Sequence, residues 1–305
     1  LPTRLPLFRD WPKPEAVVIF SGQQRGYLEP CGCSPEFQKG GLARRQGFIK
    51  NLQKQKWPVV MVDLGGLLDD HSQQPPEGKY VAGQEQGYAK LEVGLEALQT
   101  MGYTALNLAP EDIAVQNGFM GLLSTLANVD NPPQPRGLNA NLGIDPLFTD
   151  PGWFQPYITR KVGSKTVTFI GMVGEKYKDR MIDPEFKKFQ TPEEALAATL
   201  KKVKQASQIR VLLLYSDLTE AKQLAKKFPN DLEVIIYGSD AEEPIDKPEF
   251  VGKTMLVTIG SKGKYTGAIG IFKDEKGQPR SRFELVPLDD RFPEDQDIRE
   301  LLDVK

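Results

Sequence analysis

The sequence predicts an α/β (α+β) chain in which two mixed sheets stack in the middle and helices cover both outer faces, a four-layer αββα sandwich. Three observations predict it. Short apolar runs alternate with helix-period patterns over most of the 305 residues. Two β-rich runs in the middle are separated only by Gly163-Ser164, which signals a tight hairpin. The last quarter is antiparallel in style, with Thr254–Ile259, Tyr265–Phe272 and Arg282–Pro287 as strands and a turn around Lys276-Gly277. No internal repeat is visible and no linker is long enough to separate two units; Pro132-Pro133-Gln134-Pro135 reads as a surface loop. One domain over 16–290 is expected, between an N-terminal tether at 1–15 and a C-terminal helical tail at 291–305.

In chain order, Ala16–Ser21 (AVVIFS) reads as a buried strand. A loop with Gly and Cys leads to a helix from Leu42 to about Gln53, with Leu42, Phe48, Ile49 and Leu52 as its apolar positions. Pro58–Leu64 is a strand closed by Gly65-Gly66, and Tyr88–Met101 is a helix that stops at Gly102. Ala105–Leu108 reads as a strand, Gly118–Ala127 as a helix, and Leu138–Leu142 as a strand. The hairpin pairs Phe154–Val162 with Lys165–Val173. Thr191-Pro192-Glu193-Glu194 opens the next helix with an N-cap, a proline at the first helical position and a capping-box acid. Strand Ile209–Tyr215, helix Leu218–Phe228 and strand Leu232–Tyr237 follow, and a short charged helix, Asp295–Leu302, ends the chain.

Composition excludes several classes. The 39 basic residues nearly cancel 41 acidic ones, for a net charge of −2, so no basic surplus points to nucleic acid. The apolar runs are too short to span a bilayer, which leaves peripheral or lipid-anchored membrane association as the only forms expected. A single histidine, His71, beside Asp69-Asp70, excludes any mechanism needing several imidazoles. It also leaves Ser-His-Asp chemistry without support, since no nucleophile elbow accompanies it. No P-loop pattern is present. The opening LPTRLPLFRDWPKPEA reads as a tether behind a removed export signal or as a trimmed boundary, and the former implies a periplasmic or extracellular location.

Several motifs resemble the 5′-nucleotidase family of calcineurin-like metallophosphoesterases. Gly40-Gly41-Leu42-Ala43-Arg44-Arg45 resembles its GGLARR helix opening, Val62-Asp63-Leu64-Gly65 its V-D-x-G strand end, and Leu138-Asn139-Ala140-Asn141-Leu142 its A-N strand. Val167–Gly171 resembles the strand before the second half, and Gly260–Gly267 the closing G-x-x-x-G stretch. The resemblance implies a calcineurin-like fold over roughly Ala16–Pro287. It also implies a site in which Asp, His and Asn hold two metal ions that activate water for attack on phosphorus.

At the ligand positions that the resemblance implies, the residues differ. Gln23 and Arg25 stand for Asp and His in the first motif, and Gly66 stands for the bridging Asp in the second. Ala109-Pro110-Glu111-Asp112 replaces G-N-H-E, Ser216 before Asp217 replaces the lone His, and Ser239-Asp240-Ala241 replaces the last His pair. The resemblance therefore implies the fold without its di-metal chemistry, and no cofactor is expected. Glu111, Asp112, Asp217 and Asp240, with Asp63 near, would converge at strand ends. They suit a hard cation such as Ca²⁺ or Mg²⁺, or, as Arg25 in the same place favours, salt bridges that replace the lost metals.

Two further features carry chemistry. Cys31-Gly32-Cys33 lies in the loop after the first strand and is expected at the rim of this vestigial site. The pair suits a local disulfide, two quiet thiols, a redox couple, or a grip on Cu(I) or Zn(II). Arg44 and Arg45 follow two glycines at a helix start and are anion-binding or surface salt-bridge candidates. The function expected is that of a catalytically inactive, exported binding or accessory subunit with protein partners. The alternatives are a hydrolase with a rebuilt site and a redox or metal-carrier protein using the Cys31-Gly32-Cys33 loop.

Overall fold

A computed structural model of the chain describes residues 6–34, 37–68, 84–113, 134–144, 154–180, 186–203, 207–273 and 279–304. The expected helix at 118–127, His71 with Asp69 and Asp70, and the turn at 276–277 lie outside them.

Strand β1 (Ala16–Ser21) shows how alternation builds the layers. Val17 and Ile19 join one buried cluster with Leu42, Phe48, Leu91 and Leu98, whereas Ala16, Val18 and Phe20 join another with Phe169, Val211 and Ile236. Side chains of a strand point alternately to its two faces, so β1 is covered on both. It pairs in parallel with β4 (Val59–Asp63) and antiparallel with β16 (Tyr265–Lys273). Strands β5 (Ala105–Asn107), β6 (Arg136–Leu138), β8 (Phe154–Gln155) and β17 (Pro279–Pro287) complete a seven-stranded sheet in the order β17-β16-β1-β4-β5-β6-β8. Helices α1 (Leu42–Lys54) and α2 (Gln84–Thr100) cover its outer face.

The second sheet has six strands in the order β14-β15-β13-β12-β10-β9. They are β14 (Glu249–Val251), β15 (Thr254–Val257), β13 (Val234–Tyr237), β12 (Ile209–Tyr215), β10 (Lys165–Val173) and β9 (Tyr157–Val162). In β12, Val211, Leu213 and Tyr215 face the first sheet, while Leu212 and Leu214 face α4 (Pro192–Val203) and α5 (Leu218–Lys227). Two sheets inside and helices outside give the expected αββα sandwich. The Thr191 cap is present, its hydroxyl accepting from the Glu194 amide at 3.3 Å.

Three expectations change. The run Leu138–Leu142 is not one strand. Asn139 Oδ1 accepts from the amides of Asn141 (3.0 Å) and Leu142 (2.8 Å), a turn that ends β6 before β7 (Leu142–Ile144) pairs with β11 (Phe186–Phe189). The run Phe154–Val162 is divided between the sheets at Pro156, which lacks the N–H a ladder needs. The described part of the opening segment is docked. Leu7, Phe8 and Trp11 pack on the first core, with Trp11 stacked 6.1 Å from Trp57 and edge-on to Phe272 at 5.3 Å. Glu15 pairs with Lys165 (3.1 Å) and Lys273 (2.9 Å). The terminal helix α6 (Gln296–Val304) packs on α1 and α2 through buried Ile298. No helix among the described residues is long and apolar enough to cross a membrane.

Because Trp11 is clamped between β16 and the start of β4, Trp11→Ala is expected to cost about 2–3 kcal/mol, less than a fully buried aromatic. Urea unfolding checks this, and an unchanged midpoint contradicts the docking.

Candidate functional site

The parallel strands of both sheets end on the same side, and cross-sheet bonds lock those ends together. Asn107 Nδ2 donates to Met172 O at 3.0 Å, and Asn141 Nδ2 to Val173 O at 2.8 Å. The first loop, leaving β1, is held the same way. Gln23 takes a positive φ of 47° and its amide donates to Gly65 O at 2.6 Å. Its side-chain oxygen accepts from the Ser239 amide at 2.7 Å, beyond β13. Arg25 (φ 51°) repeats the left-handed conformation, which is uncommon without glycine and marks a loop set by its surroundings.

The guanidinium groups of Arg25, Arg45 and Arg180 stand at this edge. Arg25 pairs with Asp240, and although burial works against its charge, Tyr215, Asp240 and Glu111 more than offset this and raise its pKa. Arg45 is fully buried. Its Nη2 donates to Gln24 Oε1, and its side chain also meets the buried Tyr103 hydroxyl. The helix pattern explains its place: Arg45 follows Leu42 by three and precedes Ile49 by four, so it lies on the apolar stripe of α1. That spacing was available in the sequence. Of the two expectations for this pair, anion binding or surface salt bridges, Arg45 is buried and forms no surface salt bridge, while Arg44 is engaged with Gln38 O (3.1 Å) and Glu294 (3.5 Å).

The acids are also committed. Asp63 is buried, with Oδ2 accepting from the Ser21 hydroxyl and Oδ1 from the Gly65 amide at 2.8 Å. Burial pushes its carboxyl up, opposed by the Arg45 charge and these two donors. Asp112, in the short helix α3 (Pro110–Ile113), accepts from three successive amides, Gly66 (2.8 Å), Leu67 (2.7 Å) and Leu68 (3.3 Å). The turn they form needs Gly65 and Gly66 at φ 91° and 76°, and a Cβ on Gly65 would lie 2.5 Å from Asn107 O. Burial still raises Asp112 to about 7 against those donors. Glu111 meets Arg180 at 3.3 Å and the Tyr215 hydroxyl.

In the second sheet, Ser216 donates to Glu220, and Asp217 caps α5 by accepting from the Glu220 amide at 3.1 Å while pairing with Lys176 at 3.1 Å. Ser239 Oγ accepts from the Ala241 amide at 3.2 Å. Between these loops lies a cleft of about 320 Å³, walled by Tyr177, Tyr215 and Tyr237 with Gln23 and Ser239 at its edge. Thr258, 5% exposed, lines it with an Oγ1 that has no partner among the described residues. The sequence carries no signal for these walls: Tyr215, Tyr237 and Thr258 read as strand residues, and Tyr177 follows a strand that ends at Val173. The structure thus brings Gln23, Arg25, Gly66, Glu111, Asp112, Ser216, Asp217, Ser239 and Asp240 to one strand-end edge.

Cys31 and Cys33 are free thiols, Cys31 half-buried and Cys33 exposed. Cys31 lies in β2 (Pro30–Cys31), paired with β3 (Lys39–Gly40), and Lys39 joins Glu243 at the wall of the cleft at 2.8 Å. Among the described residues no three His, Cys, Asp or Glu side chains group as metal ligands.

Neither a protein-family model nor a curated protein sequence matches the chain. Solved structures do match in fold. A 5′-nucleotidase precursor from Thermus thermophilus aligns at TM-score 0.74 and 18% identity over 95% of this chain and 58% of its own. Sulfate thiohydrolase SoxB from Thermus thermophilus aligns at 0.73 and 16% identity over 99% and 61%. Calcineurin-like phosphoesterase YfkN from Bacillus subtilis aligns at 0.66 and 16% identity over 95% and 96%. The chain has the calcineurin-like phosphoesterase fold, and it spans about three fifths of the length of the first two structures. The two metal ions that the resemblance implies do not fit the residues present. The oxygens of Asp63 and Asp112 already accept from protein donors, and the guanidinium groups of Arg25, Arg45 and Arg180 stand among the acids.

Asp112 gives a pH test. Its folded pKa of about 7 exceeds the unfolded value of 3.8, so its contribution is fully present below about pH 4 and lost as pH rises through about 7. Asp112→Asn is expected to flatten the fall in unfolding free energy between these pH values. Urea unfolding at stepped pH measures it, and an identical slope in the variant contradicts the assignment.

Proposed function

We propose that the chain is a catalytically inactive 5′-nucleotidase-like protein that acts outside the cytosol as a binding or accessory subunit of a protein assembly. The observation that carries this reading is the Arg25–Asp240 pair at the end of β1, with Glu111 close by. In this place a phosphoesterase of the fold would present metal ligands to a phosphoryl group. Here a fixed positive charge is neutralised by the protein's own carboxylates. The replacements Gln23, Gly66, Ser216, Ser239 and Ala241 agree with it, being side chains or backbone that hold loops rather than divalent ions. The tyrosine-walled cleft remains as a recess in which a binding protein receives part of a partner or a small ligand.

Two further points support the partner class. The near-zero net charge gives no field for nucleic acid. Large apolar side chains stand exposed at Ile245, on the cleft wall, and at Phe250, both 58–61% exposed, as at surfaces that meet other proteins.

The test is turnover. Purified protein is expected to leave p-nitrophenyl phosphate, bis(p-nitrophenyl) phosphate and AMP unhydrolysed above the buffer rate, with or without added Mn²⁺ or Zn²⁺. Metal-dependent hydrolysis abolished by Glu111→Gln overturns the reading in favour of a rebuilt hydrolase.

A further inference from the structure

The thiols at Cys31 and Cys33 have no part in that reading, and their surroundings differ from those of quiet buried cysteines. We propose that they form a reversible dithiol–disulfide couple that exchanges with a dithiol on a protein partner. They are the only cysteines of the chain, so an intramolecular disulfide has one identity.

The hairpin presents one fixed and one free sulfur. Cys31 is held in register with Lys39 and Pro30 with Gly40, and the Leu42 amide donates to Leu28 O at 2.9 Å. Glu29, just before, is tied to Arg299 at 2.7 Å. Cys33 lies beyond the ladder and is exposed. The residue between them has to be glycine. A Cβ on Gly32 would lie 2.8 Å from Phe37 O and 2.9 Å from Gln38 Cα, so the turn is folded back against the chain that follows. The same turn carries Phe37, 61% exposed, whose amide donates to Ser34 O at 2.9 Å. An exposed ring four residues after Cys33 suits a protein chain as the exchanging partner better than a small thiol.

A structural role for the bond explains little. A disulfide across one residue closes so short a loop that it restrains the unfolded chain weakly. It also departs from relaxed geometry, which makes it readily reduced. Exchange therefore runs toward reduction of this pair. A partner thiolate attacks one sulfur of the Cys31–Cys33 bond, an intermolecular S–S bond forms, and the other cysteine leaves as thiolate and takes up a proton. The partner's second thiol loses its proton and attacks the mixed disulfide. The partner then holds a disulfide, this chain holds two thiols, and two electrons have passed to it. An excess of glutathione disulfide restores the oxidised pair by mass action and leaves as two molecules of reduced glutathione.

The experiment treats the full chain with glutathione disulfide, reads the intact mass, and then adds reduced, unfolded ribonuclease A as the protein dithiol. Three results are expected: oxidation removes two hydrogens and leaves no glutathione attached; Cys33→Ser retains a glutathione adduct; and the oxidised protein forms disulfides in the ribonuclease. Phe37→Ala, a change at an exposed position, is expected to slow that last step about tenfold while leaving the reaction with glutathione unchanged. Stable glutathione adducts on both cysteines of the unaltered chain overturn the proposal. So do thiols that react with maleimide only after a chelator is added, and a Phe37→Ala effect equal in both reactions.

Discussion

A guanidinium sealed from water at the junction of a helix and two parallel strands constrains everything around it. Arg45 is fully buried on the inner stripe of α1, and taking such an ion out of water costs several kcal/mol before any partner is counted. What offsets the cost is local and specific. Gln24 accepts from it, and Asp63 beneath gains from its charge while burial pushes that carboxyl up. Ser21 bridges Asp63 to the Tyr103 hydroxyl at 2.9 Å. Removing one member would leave another buried and unsatisfied, so the group holds together or not at all. The loop leaving β1 has its strained shape because Gln24 turns inward to meet Arg45 while Gln23 reaches across to Ser239.

The same logic orders the rest of the strand-end edge. Each acid that the two sheets bring there has donors: backbone amides for Asp112, a hydroxyl and an amide for Asp63, guanidinium groups for Glu111 and Asp240. Hard oxygens spent in this way are poor ligands for a divalent ion, which needs several of them free and aimed at one point. Among the described residues the core lies in three apolar clusters, one between the sheets and one under each helical layer. A phosphoesterase-like frame can therefore carry a site made of ion pairs and tyrosine rings.

Much of the frame was legible because local and global signals agree. β1 and β12 read as buried strands and are covered on both faces, and Thr191-Pro192 opens a helix where its cap chemistry says it should. The misreadings have definite causes. Leu138–Leu142 has strand composition, but the Asn139 side chain captures two amides that a ladder would need. Phe154–Val162 looks continuous, yet Pro156 breaks it and the chain changes sheets. For the site, motif order places the residues on one edge and Arg25 against its acids, as it pairs with Asp240, but the partners of Asp63, Asp112 and Arg45 are not legible from it. Arg45 reads as an anion-binding or salt-bridge candidate when its type is weighed above its position three residues after Leu42, which puts it on the buried stripe. Phe8 and Trp11 read as tether because docking of a short aromatic segment is a long-range event that no periodicity reports.

The ion pairs at the strand-end edge support the proposal that side-chain cations, not divalent metal ions, hold it together. Thermal unfolding of the full chain, with chelator on one side and Mn²⁺ or Zn²⁺ on the other, tests it most directly. Any ion bound by the folded state alone must raise the midpoint by mass action. The midpoint is predicted to be the same in both. A rise of several degrees with metal, reversed by chelator, would contradict it.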